Sequence, residues 1–114
     1  METHCITCGM PLTKKEDIGV ETVQGPVCNY CIKADKSIKS CKEIFEGGVY
    51  FFMNSVPDVD KTLAERITRK NMNNLIYWKD KDEECLKGNQ ATEEEFQAAL
   101  AKLHSETKKR NVNV

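Results

Sequence analysis

Aromatic side chains are scarce in this sequence: one Trp, three Tyr and four Phe among 114 residues. That scarcity argues against the series of exposed stacking rings that holds single-stranded nucleic acid. No charge sign dominates either, with 17 Lys and Arg against 18 Asp and Glu and a formal net charge of −1. A protein devoted to covering phosphates needs a clear positive balance. No apolar stretch approaches the ~20 residues that cross a bilayer. The first residues, Met1-Glu2-Thr3-His4-Cys5, are polar and lack the apolar segment of a secretory signal. A soluble, cytoplasmic protein is the expectation. Catalytic patterns are missing as well. There is no phosphate loop, no pair of carboxylates in a defined context, and no nucleophile beside a base. An enzyme is not expected.

What the chain does have is six cysteines. Four form two Cys-x-x-Cys pairs, Cys5/Cys8 and Cys28/Cys31, with nineteen residues between Cys8 and Cys28. Two intervening residues let both sulfurs of a pair point into one tight turn. Two such turns face to face place four sulfurs at the corners of a tetrahedron, the closed geometry of structural Zn²⁺. A disulfide framework would need an oxidising compartment, for which the N-terminus gives no sign. Iron also accepts four thiolates, as a one-iron electron carrier or a cluster. Iron sites tend to sit among apolar residues, whereas the loop here carries Lys14, Lys15, Glu16, Asp17 and Glu21. Zinc is preferred, with iron as the alternative. No βαβ pattern surrounds either pair, which disfavours a thioredoxin-type redox motif. The expected ligands are Cys5, Cys8, Cys28 and Cys31, holding one structural zinc.

Residues 4–31 therefore read as a zinc ribbon. Gly9 suits the left-handed position that closes a metal-binding turn. Val20-Glu21-Thr22-Val23 alternates and is rich in β-branched residues, as a short strand does, and Gln24-Gly25-Pro26 marks a turn. On Cys5-x-x-Cys8-Gly9-Met10-Pro11-Leu12 and Cys28-x-Tyr30-Cys31 the chain resembles the putative zinc ribbon domain proteins of bacteria and archaea. The likeness continues more weakly through a helix ending near Phe52-Met53 and another ending at Trp78, about two-thirds of the chain. In that family the four cysteines are the presumed zinc ligands, and no activity is assigned. After Cys31 the family usually has an Asp-Gly step, where this chain has Ala34-Asp35-Lys36.

Beyond the ribbon the expected class is α+β: an N-terminal β-rich zinc ribbon followed by about three α-helices. Three stretches are anticipated: ribbon over 1–34, a helical part packed on it over 35–79, and a connector, amphipathic helix and mobile tail over 80–114. Ser40 three residues before Glu43 is a capping box, so a helix opens near Cys41. At Gly47-Gly48 that helix should either be kinked and closely packed or restart at Val49. Val49-Tyr50-Phe51-Phe52-Met53, the densest apolar stretch, is assigned to the core, ahead of a docking surface. Ile44, Phe45, Phe52 and Trp78 are expected to cover the ribbon. A second helix capped by Asp58 or Asp60 should run to Trp78, with Leu63, Ile67 and Leu75 inward and Lys61, Glu65, Arg66, Arg69 and Lys70 outward. Residues 79–84 read as a solvated charge run. Thr92 and Glu95 form another capping box.

Cys41 and Cys85 remain after zinc takes four thiolates. Cys41 is expected to be a buried free thiol and Cys85 a poor nucleophile among carboxylates. His4 could replace a thiolate, but four already close the site, and His104 is taken as solvated. Lys33, Lys36, Lys39 and Lys42 recur every third residue and would make a basic ridge on a helix. Charge is uneven: residues 32–79 hold nine Lys and Arg against six acids, and both flanks carry an excess of two acids. The expected role is an adaptor or regulatory subunit that docks on a larger protein, with a redox- or oxygen-responsive element. Phe96, Leu100, Leu103, Lys36 and Lys39 are its candidate contact residues, although the Phe96 stripe could equally pack back on the protein. A nucleic-acid-binding ribbon is the alternative.

Overall fold

A computed structural model describes the backbone of residues 3–112 and the side chains of residues 3–103. The side chains of His104 and of the basic tail lie outside the described residues. The chain begins with two small antiparallel hairpins. In the first, β1 (Thr3–His4) pairs with β2 (Pro11–Leu12). In the second, β3 (Ile18–Thr22) pairs with β4 (Gly25–Cys28), with an irregularity between Ile18 and Val20. The Thr22 hydroxyl ties the second turn, donating to the Gly25 carbonyl at 2.8 Å and accepting from the Gln24 and Gly25 amides. Helices follow: α1 (Cys41–Ser55), α2 (Lys61–Asn73), α3 (Ile76–Lys79) and α4 (Glu93–Val112). The class is α+β, with the β-rich part N-terminal.

Local signals fix the helix starts. The Ser40 hydroxyl accepts from the Glu43 amide at 3.2 Å, and the Glu43 carboxylate accepts from the Ser40 amide at 3.0 Å. Thr92 and Glu95 repeat the reciprocal pair at α4, with bonds of 3.1 and 2.9 Å. Asp60 caps α2 by accepting from the Leu63 amide at 2.8 Å. Through Gly47-Gly48, α1 runs on without a break, and a Cβ at Gly48 would lie 2.8 Å from the Thr68 methyl. Glycine there lets α1 and α2 approach closely, which offsets its cost of about 1 kcal/mol in a helix.

Several expectations change. The second helix does not reach Trp78: it stops at Asn73, and Leu75 is extended before α3 begins. The Asn73 amide donates to the Arg69 and Leu86 carbonyls, joining the end of α2 to a later segment. Arg66, Arg69 and Lys70 are half-buried rather than outward. Arg66 meets Glu95 of α4 at 2.6 Å, which holds that carboxyl below its usual range, and Arg69 lies 5.2 Å from the centre of the Phe45 ring. The stretch 49–53 is split by helical periodicity, with Val49 and Phe52 buried but Tyr50, Phe51 and Met53 exposed. The backbone of the tail is helical through Val112.

The lysine ridge is absent because residues 32–40 are not helical. Ile32 and Ile38 form an antiparallel bridge around a turn in which the Lys33 amide donates to the Ser37 carbonyl at 2.8 Å. Lys36 sits in the left-handed region at φ 73°, directly after Asp35, as the glycine of an Asp-Gly step would. A side chain pays for that conformation, whereas glycine adopts it freely. Lys36→Gly is expected to stabilise the protein by about 0.5–1 kcal/mol, after allowance for the freer unfolded chain. A denaturant midpoint unchanged or lowered in the variant would refute this.

Two hydrophobic clusters divide the interior. One gathers Cys5, Val27, Cys28 and Cys31 with Cys41, Ile44, Met72, Trp78 and Leu86. The other joins Val49, Phe52 and Val56 of α1 to Ala64 and Ile67 of α2 and to Phe96 and Ala99 of α4. Phe45 borders both. Ile44 and Trp78 thus cover the cysteine end as expected, whereas Phe52 belongs to the helical cluster. Among the described residues, no helix is long and apolar enough to cross a membrane.

Candidate metal centre

Each cysteine pair sits at the end of a hairpin that its own sequence closes. The first lies in the turn from β1 to β2, where the Cys5 amide donates to the Met10 carbonyl at 2.9 Å and the Gly9 amide to the Cys5 carbonyl at 2.8 Å. Gly9 takes φ +81°, a left-handed conformation that glycine adopts without the strain a side chain would bring. The second pair spans the exit from β4 and the 3₁₀ turn Asn29–Cys31. The Ile6 amide donates to the Pro26 carbonyl at 3.0 Å and locks the two hairpins together.

The four sulfurs converge. Cys5 and Cys31 Sγ are 3.9 Å apart, Cys8 and Cys28 Sγ 3.7 Å, and Cys28 and Cys31 Sγ 3.6 Å. All four lie within 4.8 Å of one another. A tetrahedron with ~2.3 Å arms has edges of about 3.8 Å, the spacing a tetrathiolate zinc site requires. Cys5, Cys28 and Cys31 are buried and Cys8 is half-buried.

Electrostatics says the same. Hydrogen bonding from Cys28 pulls the Cys5 thiol far below its ordinary value, and hydrogen bonding from Cys31 lowers Cys28. Cys8 and Cys31 are driven far up, chiefly through Cys28. Four sulfurs this close cannot all ionise by themselves; a bound cation compensates the charge and releases the remaining protons.

Around the sulfurs runs a shell that the cysteine spacing does not reveal. The Cys28 amide donates to Cys5 Sγ at 3.3 Å, and the Thr7 hydroxyl lies 3.1 Å from the same atom. Two side chains from the helical part grip the first turn by its carbonyls. Asn71 of α2 donates to the Cys8 carbonyl at 2.9 Å, and the Trp78 indole donates to the Thr7 carbonyl at 2.8 Å. Such outer contacts hold ligands in position and tune a metal. Trp78 was legible as a core residue, but neither its hydrogen bond nor Asn71 carried any local signal.

Residues 4–79 match the putative zinc ribbon domain family. The chain belongs to that family. A comparison with curated proteins returns no match, and neither does one with solved structures. The ribbon's Cys₄ metal-binding site uses the expected residues Cys5, Cys8, Cys28 and Cys31, while His4 lies exposed on β1 and outside this cluster.

The remaining cysteines are not free thiols. Cys41 and Cys85 form a disulfide, with Cα atoms 6.3 Å apart at a sequence separation of 44. The correction has a plain physical origin: the 3₁₀ turn Glu84–Leu86 packs against the start of α1, with Leu86 in the ribbon-end cluster. The residues expected to contact a partner separate in space. Phe96 is buried in the helical cluster, with Leu100 and Leu103 packed against it, so this stripe of α4 lies on the protein's own body. Lys36 is exposed in the turn closed by Ile32 and Ile38, and Lys39 is half-buried between that turn and α1.

Proposed function

We propose that this zinc ribbon protein is a non-catalytic cytoplasmic adaptor, whose metal is a structural Zn²⁺ and whose partner is a larger protein. The observation that carries this is the closed site. Four protein sulfurs fill the tetrahedron, leaving no position for water or substrate, so the metal's contribution is rigidity rather than chemistry. Soft thiolate donors at tetrahedral spacing favour zinc, and the charged ribbon loop disfavours an electron-transfer iron.

A protein partner is favoured by where the few aromatic side chains stand. Tyr50 is 72% exposed and Met53 43%, and about one helical turn apart they line the same groove beside α1, with a composition that protein interfaces prefer. Tyr30, inside the second cysteine pair, is also exposed. Redox input belongs to the same reading, since oxidising a ligand thiolate would release the metal and loosen the ribbon.

The test uses the zinc-loaded protein as bait in its native lysate, beside a Tyr50→Ser, Met53→Ser variant. One stoichiometric protein retained by the former and lost by the latter, at equal zinc content, is the expected result. Retention by both variants would remove α1 from the interface. Sub-micromolar binding to nucleic acid at physiological salt would instead favour the alternative of a nucleic-acid-binding ribbon.

A further inference from the structure

The Cys41–Cys85 cross-link differs from the metal site in exposure and setting. Cys41 is buried at the start of α1, while Cys85 is half-buried and lines an open groove of about 600 Å³ between α1, α2 and the turn at 84–87. The segment that carries Cys85 is mostly wet: Lys81, Asp82, Glu84 and Lys87 are exposed. It has anchors besides sulfur. Leu86 is buried, its carbonyl accepts from Asn73 at 3.1 Å, and the Asn89 carbonyl accepts from Arg69 at 3.2 Å. Breaking the cross-link would therefore leave the segment docked, so the bond can open and re-form without unfolding the protein.

We propose that Cys41–Cys85 is a thiol–disulfide exchange site, entered at Cys85 from the groove by a dithiol reductant. The attacking thiolate bonds to Cys85 Sγ as the S–S bond breaks, and the electron pair leaves on Cys41 Sγ, which takes a proton from water. Cys41 is the first residue of α1, where unpaired amides of the first turn favour negative charge. The reductant's second thiol then attacks the mixed disulfide at its own sulfur, and Cys85 departs and is protonated. Two electrons and two protons pass to the protein, and the reductant closes as a disulfide. Cations from both sides of the groove, Lys42 and Arg69, stand near the path of the incoming thiolate, alongside Glu46 and Glu65. Neither the adaptor role nor a partner is needed for this site.

The experiment uses the full zinc-loaded chain. Denatured with chelator and iodoacetamide before any reduction, the protein should take up four carbamidomethyl groups, and six after dithiothreitol, in line with four free cysteines and one disulfide. Six groups before reduction would overturn the proposal. In native buffer, a limiting amount of reduced glutathione followed by acid quench should leave one adduct, mapped to Cys85, with zinc retained. An adduct on Cys41 would reverse the assignment of the attacked sulfur. Opening only above the unfolding midpoint in denaturant would make the bond purely structural and sink the proposal. A Cys41→Ser variant exposed to oxidised glutathione should hold a persistent adduct on Cys85, since the thiol that would expel it is gone. The mirror Cys85→Ser variant should label poorly at buried Cys41, and equal labelling of the two would count against entry from the groove.

Discussion

Cys28→Ser is expected to abolish stoichiometric zinc binding and to unfold the two N-terminal hairpins. A serine oxygen is a hard, weakly acidic ligand, poorly suited to a site built for soft thiolates. Cys28 Sγ stands within 3.7 Å of both Cys8 and Cys31 Sγ, so its loss removes a whole corner of the tetrahedron. The hairpins have little else to hold them, because the strands are two to five residues long and their buried interior is largely sulfur. Metal binding in sites of this kind is worth about 10–16 kcal/mol in small zinc-finger peptides, and that binding energy is folding energy. The helical cluster of α1, α2 and α4 does not include the ribbon, so helix content should fall much less than ribbon order. Elemental analysis should find one zinc per wild-type chain and none in the variant. Amide dispersion should collapse for residues 3–31 while persisting around Ile67 and Phe96. Iron in place of zinc, or a red-brown protein prepared without air, would overturn the metal assignment. A variant that keeps its ribbon signals without metal would show that the hairpins fold on packing alone.

What could be read ahead of the structure was local. The Cys-x-x-Cys turns, Ser40 with Glu43, and Thr92 with Glu95 each complete their bonding within a few residues, and each appears where it was expected. The misread features depend on partners far away in sequence. The helix ends at Asn73 partly because its side chain bonds Leu86, and nothing near position 73 announces residue 86. Cys41 finds Cys85 across 44 residues, a pairing that spacing alone cannot select. Arg66 and Arg69 look like solvent-facing charges in a helical pattern, yet Glu95 and Phe45 cover them. The every-third lysines had the opposite fault: a regular period appeared in a segment whose residues Asp35 and Ser37 prefer to bond each other in a turn. At the metal centre the ligands were legible and their supporting shell was not, because Asn71 and Trp78 reach the first turn across more than sixty residues.

That supporting shell makes the second large prediction, centred on the lone tryptophan. Trp78 is 5% exposed, packs edge-on to Tyr77 at 4.8 Å, and donates its indole N–H to the carbonyl of Thr7, which lies between ligands Cys5 and Cys8. Two substitutions separate its roles. Trp78→Ala removes the ring and the donor together and should cost about 3–5 kcal/mol of stability, the range for emptying a large aromatic site. Trp78→Phe keeps most of the packing but leaves the Thr7 carbonyl buried without its partner, for about 1–3 kcal/mol. The Phe variant should also loosen the metal, because losing one outer contact to a ligand turn weakens metal affinity about 10–100-fold. Denaturant midpoints followed by far-ultraviolet circular dichroism give the stabilities, and competition with a chromophoric chelator gives the zinc affinities. An Asn71→Ala variant, which removes the other grip on the same turn at the Cys8 carbonyl, should weaken zinc in the same direction. If Trp78→Phe loses stability but binds zinc as tightly as the wild type, the indole is only a core side chain. If zinc affinity falls in both Trp78→Phe and Asn71→Ala, the helical part holds the ribbon's first turn in its metal-binding shape.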